Sequence, residues 1–298
     1  MSLDSYKFRD KFLFILFFIF IAILVFVETN IRVQNFYEDK INDLEVQYNG
    51  RLISFGSNME NMFASIIKED IIKLYAKAYK TKNNKELKIV RDELKSKLDI
   101  SYKFLISRGI KLFHFHLPDG TSFLRMHKPN KFGDNLYGKR ETIRRMVDTK
   151  EPVNEFEAGL FFDGFRYIFP LFYDGDYIGS VELSLSSKMF LNSLNKSIDS
   201  KFFMVTDSEY LESIMKKDVL DISFHRSCIN KGYYIANHTD KEEEYIGKEL
   251  FTENIRDKFA SKMETKENFT HIEYNSVTES KLYIFYALKD IDKRHIGY

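Results

Sequence analysis

Tryptophan is absent from the 298 residues, and cysteine occurs once, at Cys228. A lone cysteine excludes an intrachain disulfide. Proline is scarce, and none falls between Asn30 and Lys80, so nothing there forces a helix to stop. An excess of one charge sign is also missing: 45 basic residues face 44 acidic ones, a net charge of +1. That removes the electrostatic case for a nucleic-acid partner. There is no G-x-S-x-G, H-E-x-x-H, C-x-x-C or P-loop, and no G-x-G-x-x-G in a strand–turn–helix context. Glu155 and Glu157 would point the same way from one strand, a tight arrangement for acid–base work. No catalysis and no cofactor are expected within this chain. What remains is 44% hydrophobic and 30% charged, which suits one or two folded domains and is too apolar for disorder.

One long hydrophobic run is present. Phe12 to Val27 carries no charge. As a helix it spans roughly 24 Å, and Tyr6, Phe8, Thr29 and Ile31 can extend it at the interface toward a hydrocarbon core of about 30 Å. Lys7, Arg9 and Lys11 precede it and Glu28 follows. The positive-inside rule then puts residues 1–11 in the cytoplasm, a membrane helix at 12–29, and the rest outside. No small-residue cleavage site follows, so an uncleaved anchor is expected. No later stretch approaches spanning length, so the chain is expected to cross a bacterial inner (cell) membrane once, with its bulk periplasmic or extracellular. A chain of this size can build a core there without disulfides.

From Asn30 to about Lys80, apolar residues recur at Ile41, Leu44, Tyr48, Leu52, Phe55, Met59, Met62 and Ile66. Steps of three and four predict a helix of about 50 residues, on the order of 75 Å long. Gly50 and Gly56 are candidate bends. The stripe suits core packing, a homodimer seam continuous with the membrane helix, or both along different parts. Thr81 to Asn84 breaks the helix. Glu86 to Leu98 predicts a second, shorter one, and residues 30–100 form a stalk and connecting helix.

The next part alternates with period two. In Leu112 to Leu117, strand geometry puts Leu112, His114 and His116 on one face and Phe113, Phe115 and Leu117 on the other. Pro118-Asp119-Gly120 signals a turn into a return strand, Ser122 to His127. Gly138 to Val147 reads as a helix. Strands follow at Val153–Leu160, Phe165–Tyr173 and Tyr177–Ser186. Two strands, a helical crossover and three antiparallel strands, with a long helix on one face, is the layout of a PAS-like sheet. The run HLPDGTSFLRMHKPNKFGDNLYGKR, then FEAG, then GFRYIFPLFYDGDYIGSVELS, resembles the double-Cache sensor domains of bacterial membrane receptors. It is most similar to the subgroup described as a double sensory domain of two-component sensor kinases. The resemblance implies an α+β architecture with two PAS-like modules in tandem. A membrane-distal one at 101–187 would bind ligand, and a membrane-proximal one at 188–298 would relay the signal.

In the second module, helices are expected at Ser187–Ser200 and Tyr210–Asp218, with an amphipathic run within Tyr245–Thr265. Strands are expected from Lys201 to Val205 and from Lys231 to Ala236. A hairpin of Phe269–Tyr274 and Lys281–Leu288 would turn around Ser276 to Glu279. His295 to Tyr298 begins a last strand that should lack most of its ladder bonds, so the chain reads as a truncated receptor piece. Glu242-Glu243-Glu244 reads as a solvated face and Cys228 as a quiet, half-buried thiol.

The sharpest constellation is His114, His116, Arg125, His127, Glu157, Arg166 and Tyr167, with Asp134 in the crossover. Burying an unpaired charge is costly. Arg125 and Arg166 must therefore be solvated, paired with Glu155, Glu157 or Asp134, or reserved for an anionic ligand that a guanidinium can grip with two parallel hydrogen bonds. His114 and His116 share a face with His127 beside them, a spacing that permits a divalent metal or pH sensing without being diagnostic of either. Satisfied histidines are the simpler account, and no metal is expected. Phe161 and Phe162 cap a pocket or simply pack in their loop. The expected function is the extracytoplasmic input domain of a bacterial receptor, foremost a histidine kinase, with a chemoreceptor or diguanylate cyclase as other outputs. It would bind a small polar or anionic solute. A single-pass adaptor and a metal-binding periplasmic protein are the alternatives.

Overall fold

The computed structural model describes residues 3–196, 202–236, 253–274 and 280–298. The expected features at Lys201, Glu242-Glu243-Glu244, Tyr245 to Thr252 and Ser276 to Glu279 lie outside them. The chain divides into two compact units, Met1–Gln47 with Asn268–Tyr286, and Tyr48–Glu267 with Ala287–Tyr298.

The first unit holds most of helix α1 (Leu3–Ile66) and a late hairpin. α1 contains the one described helix that is long and apolar enough to cross a membrane, and Phe12 to Val27 lie exposed along it. The hairpin strands are labelled β9 (Phe269–Tyr274) and β10 (Ser280–Phe285) in chain order. They pair antiparallel over six positions, and the Phe269 and Phe285 rings stack 4.2 Å apart.

The second unit begins within α1. Tyr48, Leu52, Phe55, Met59, Met62, Phe63 and Ile66 all pack into its core, so this half of the stripe is core packing. The helix ends at Ile66, fourteen residues before the expected break. Lys68 is extended, and α2 (Glu69–Lys80) restarts with Glu69 and Asp70 in its first turn, where acids favour the positive end of the helix dipole. The restart turns Ile71, Leu74 and Tyr75 into the core. Neither Gly50 nor Gly56 interrupts α1.

Helix α3 (Asn84–Ser107) is capped by the Asn83 side chain, which accepts from Lys85 N. It runs nine residues past Leu98, because Leu105 continues the buried stripe of Val90, Leu94 and Leu98. The first sheet follows: β1 (Ile110–His116), β2 (Ser122–Arg125), helix α4 (Glu141–Thr149), β3 (Val153–Ala158), β4 (Asp163–Tyr173) and β5 (Asp176–Ser186). Its order is β2-β1-β5-β4-β3, antiparallel throughout. Asp174 and Gly175 both have positive φ, the conformation a two-residue hairpin needs.

The two faces of this sheet differ. Phe113, Phe115, Phe156, Phe165, Tyr167, Val181, Leu183 and Leu185 form the apolar core with α1, α2 and α3. The other face is covered by α4, whose Ile143 and Met146 pack with Leu136, Val153 and Ile168. Gly179, at φ 135°, lets strands approach closely: a Cβ there would sit 2.2 Å from the His116 carbonyl oxygen.

Helix α5 (Ser187–Asn195) leads to β6 (Val205–Asp207). Residues 210–218, expected as one helix, form parts of two, α6 (Ser208–Ile214) and α7 (Lys217–Ser223). A short strand that sequence periodicity did not reveal, β7 (Phe224–Arg226), precedes β8 (Tyr233–Ala236) and α8 (Glu253–Met263). With β11 (Leu288–Lys289) and β12 (His295–Gly297) these strands make a second sheet, ordered β11-β12-β6-β8-β7. β12 is bonded on both sides, and Tyr298 exchanges both backbone hydrogen bonds with Val205 at 2.8 Å. The expected loss of ladder bonds therefore does not occur.

Candidate functional site

Strand alternation places His114 and His116 of β1, Glu157 of β3, Arg166 of β4, and Ser180, Glu182 and Ser184 of β5 on the face beneath α4. Antiparallel register sets Glu182 directly opposite His114, and Ser180 opposite His116. All seven are buried.

Glu182 is the centre. Arg140 donates to its carboxylate twice, from Nη1 at 3.1 Å and Nη2 at 3.2 Å, and Ser184 Oγ donates to Oε1 at 2.7 Å. Arg140 also donates from Nε to Glu157 Oε2 at 2.7 Å. Glu157 in turn accepts from Thr142 N at 3.1 Å and Thr142 Oγ1 at 2.7 Å, so its carboxylate caps the first turn of α4. The sheet face and the helix covering it are therefore joined by two carboxylates bridged through one guanidinium. Burial would raise the Glu182 pKa, but Arg140, His114 and Arg166 outweigh it and hold the carboxyl well below its ordinary range. Burial lowers Arg140 as well, but Glu157 and Glu182 reverse the sign and keep it firmly protonated.

Arg166 is 1% exposed. Its Nε donates to the Glu157 carbonyl at 3.3 Å and its Nη2 to the Phe162 carbonyl at 3.0 Å, and the guanidinium lies 4.1 Å from the Phe162 ring centre. Its Nη1 has no hydrogen-bond partner among the described residues and stands 3.6 Å from Glu182 Oε1. Burial and the neighbouring Arg140 bring its pKa down to about 10.

The histidines form a chain. His114 Nε2 meets Ser122 Oγ at 2.8 Å, His114 Nδ1 meets His116 Nε2 at 3.0 Å, and His116 Nδ1 meets Ser180 Oγ at 3.1 Å. Burial, the largest influence, lowers the pKa of both, that of His116 strongly, so both imidazoles are neutral at pH 7.

The structure thus brings His114, His116, Glu157 and Arg166 together. Arg125 sits at the edge in a bidentate pair with Asp134, at 2.7 and 2.9 Å, and also donates to the Lys131 carbonyl. His127 is half-buried beyond the end of β2, its Nδ1 without a hydrogen-bond partner among the described residues, and burial lowers its pKa to about 4. Tyr167 is on the opposite face, in the apolar core, because it neighbours Arg166 in a strand. Phe161 is exposed, with Lys128, Lys131 and Lys216 within 4.4 to 5.6 Å of its ring centre. Sequence reasoning missed Glu182, Arg140 and Thr142. The Ser-Val-Glu-Leu-Ser alternation of residues 180–184 was the available signal for Glu182.

Residues 73–217 match the family described as "double sensory domain of two-component sensor kinase". No curated protein matches the chain in sequence. Among solved structures, the sensor domain of the Vibrio cholerae histidine kinase DctB is similar at 13% identity and TM-score 0.37, over 57% of this chain and 64% of that one. The ligand-binding domain of the Campylobacter jejuni chemoreceptor Tlp3, in complex with 4-methylisoleucine, is similar at 10% identity and TM-score 0.43, over 82% and 83%. A sensory box/GGDEF family domain from Vibrio parahaemolyticus is similar at 14% identity and TM-score 0.39, over 89% and 95%.

Proposed function

We propose that this chain, a double-Cache sensor over the residues that match that family, is the extracytoplasmic input part of a bacterial membrane receptor, foremost a histidine kinase. Its first sheet takes up a small polar or anionic solute on the face beneath α4. The observation that carries this reading is Arg166. A guanidinium buried to 1% exposure, whose Nη1 faces Glu182 Oε1 at 3.6 Å but makes no hydrogen bond among the described residues, has a donor in reserve, and a buried donor without a hydrogen bond is costly to keep without a use. A carboxylate is the group that a guanidinium grips best. Phe162 beneath it and the exposed Phe161, ringed by three lysines, make the adjacent loop an entry that attracts anions.

In this reading His114, His116 and Glu157 line the same face, while Arg125, Asp134 and His127 form its rim. The solute shifts the receptor only by its differential affinity for two arrangements. The Arg140 bridge between α4 and the sheet is where those arrangements would differ. α1 carries the change toward the membrane, within a homodimer paired along that helix.

The test is a thermal-shift screen of the detergent-solubilised chain against amino acids, organic acids, amines and purines. A ligand at about 100 times its dissociation constant adds ~2.7 kcal/mol of stability. Arg166→Ala is expected to weaken any hit at least tenfold. A hit bound equally well by Arg166→Ala refutes the assignment.

A further inference from the structure

Three atoms on the polar face are arranged as a ligand set. His114 Nδ1 and His116 Nε2 are 3.0 Å apart, and Glu182 Oε2 is 3.7 Å from the first and 3.6 Å from the second. A triangle with those sides has a centre about 2.0 Å from every corner, which is the usual zinc–nitrogen and zinc–oxygen distance. Register fixes the triangle, since His114 faces Glu182 across the β1–β5 ladder and His116 lies two residues along the same strand face.

The surroundings are those of an oriented site. Each imidazole has its outer nitrogen on a serine hydroxyl, Ser122 for His114 and Ser180 for His116, which fixes the ring and leaves the two inner nitrogens on each other, beside Glu182 Oε2, where an ion would replace the hydrogen bond between them. Glu182 Oε1 is occupied by Ser184 and by Arg140 Nη2, while Oε2 accepts from Arg140 Nη1 at 3.1 Å and lies within 3.7 Å of both inner histidine nitrogens.

We propose that His114, His116 and Glu182 form a three-ligand site for a divalent first-row transition ion, zinc in the first instance, with the fourth position open. Two imidazoles and one carboxylate suit zinc rather than calcium or magnesium, which take oxygen ligands. The charges of Arg140 and Arg166 already balance those of Glu157 and Glu182, so the ion would bring excess positive charge. An anionic fourth ligand, hydroxide or a solute carboxylate, is therefore the matching occupant of the open position.

The proposal does not rest on the solute reading, because the metal is titrated alone. The full chain is purified in detergent, stripped with a chelator, and titrated with zinc by calorimetry and with cobalt(II) by visible absorption. One ion per chain is expected, with cobalt bands of four-coordinate intensity. His114→Ala and His116→Ala should each weaken zinc by more than the roughly 10–100-fold that outer-ligand changes cost, and Ser122→Ala by about tenfold. His271→Ala, in the late hairpin, should leave binding unchanged. X-ray absorption of the zinc-loaded wild-type chain needs no variant and should find two imidazoles at about 2.0 Å. A folded wild-type chain that takes up no zinc, or a zinc shell with fewer or more than two imidazoles, overturns the proposal. The histidine pair is then only a hydrogen-bonded chain between two serines.

Discussion

Arg140 and Glu182 stand 42 positions apart in the chain and meet through two hydrogen bonds, at 3.1 and 3.2 Å, where Glu182 has no exposure to water. Arg140 is the residue just before α4, and Glu182 is in the central part of β5. The contact therefore fastens the cover of the polar face to its floor. The same guanidinium reaches Glu157, so two buried carboxylates share Arg140 as a hydrogen-bonding cation.

Arg140→Met should be among the most damaging single changes in this unit. It leaves Glu157 and Glu182 buried with only Arg166 nearby, and breaking a buried pair from one side costs about 3–5 kcal/mol. Urea denaturation of the solubilised chain reads this directly. The double change Arg140→Met, Glu157→Gln removes one charge of each sign, leaves Arg166 facing Glu182, and should recover part of the loss. Equal losses in the single and double variants would show that packing, and not charge, sets the cost.

Why this cluster was only half legible in the sequence follows from its geometry. His114, His116, Glu157 and Arg166 announce themselves locally, as ionisable residues at alternate positions of strands whose other positions are apolar. The first sheet was legible for the same reason, since period-two alternation and the Asp-Gly turn are local signals. Glu182 follows that alternation too, but its importance comes from cross-strand register with His114, a pairing across 68 positions that no local pattern encodes. Arg140 was hidden by a boundary: a helix read from Gly138 takes Arg140 into its interior, whereas the helix starts at Glu141 and frees Arg140 to turn under it. The end of α1 was misplaced because the apolar stripe continues through the extended Lys68, where only tertiary packing of Ile71, Leu74 and Tyr75 decides the direction. Strand alternation already sets Tyr167 on the opposite face from Arg166, and the structure keeps it there, in the apolar core and away from the polar cluster.

Tyr75 ties α2 to the histidine strand. Its hydroxyl donates to the His116 carbonyl at 2.7 Å, with the ring fully buried among Phe115 and Phe123. Tyr75→Phe keeps the ring and removes the bond, so a loss on the order of 1 kcal/mol is expected. A loss above about 3 kcal/mol in chemical denaturation would mean that the hydroxyl does more than make one hydrogen bond.

The Arg125–Asp134 pair gives a pH dependence with a defined sign. The hydrogen bonds from Arg125 hold the Asp134 carboxyl down, to about 2. A carboxyl lower in the folded than in the unfolded chain stabilises the fold above the unfolded value of about 4, and that contribution disappears as pH falls through the folded value. Asp134→Asn should therefore be less stable than the parent at pH 7, with the gap closing between about pH 4 and pH 2. The Asp134 side chain is one-third exposed, so the gap at pH 7 should be modest. A gap that stays constant from pH 7 to pH 2 refutes the pairing as its origin.

Two glycines six positions apart in α1 should respond differently to alanine. A Cβ on Gly50 would meet nothing within 4 Å, so Gly50→Ala should gain the helix preference of alanine, about 0.5–1 kcal/mol. A Cβ on Gly56 would lie 2.9 Å from Asn154 Nδ2 and 3.9 Å from the Tyr167 ring. The same propensity gain is then opposed by displacement of the Asn154 side chain, and Gly56→Ala should be neutral or destabilising. Asn154→Ala should remove the opposition, so the double variant should exceed the sum of the singles by at least about 0.5 kcal/mol, the scale at which contacting sites depart from additivity. Thermal melts of the four variants settle it: if Gly56→Ala stabilises as much as Gly50→Ala, α1 does not lie against β3 as closely as the structure places it.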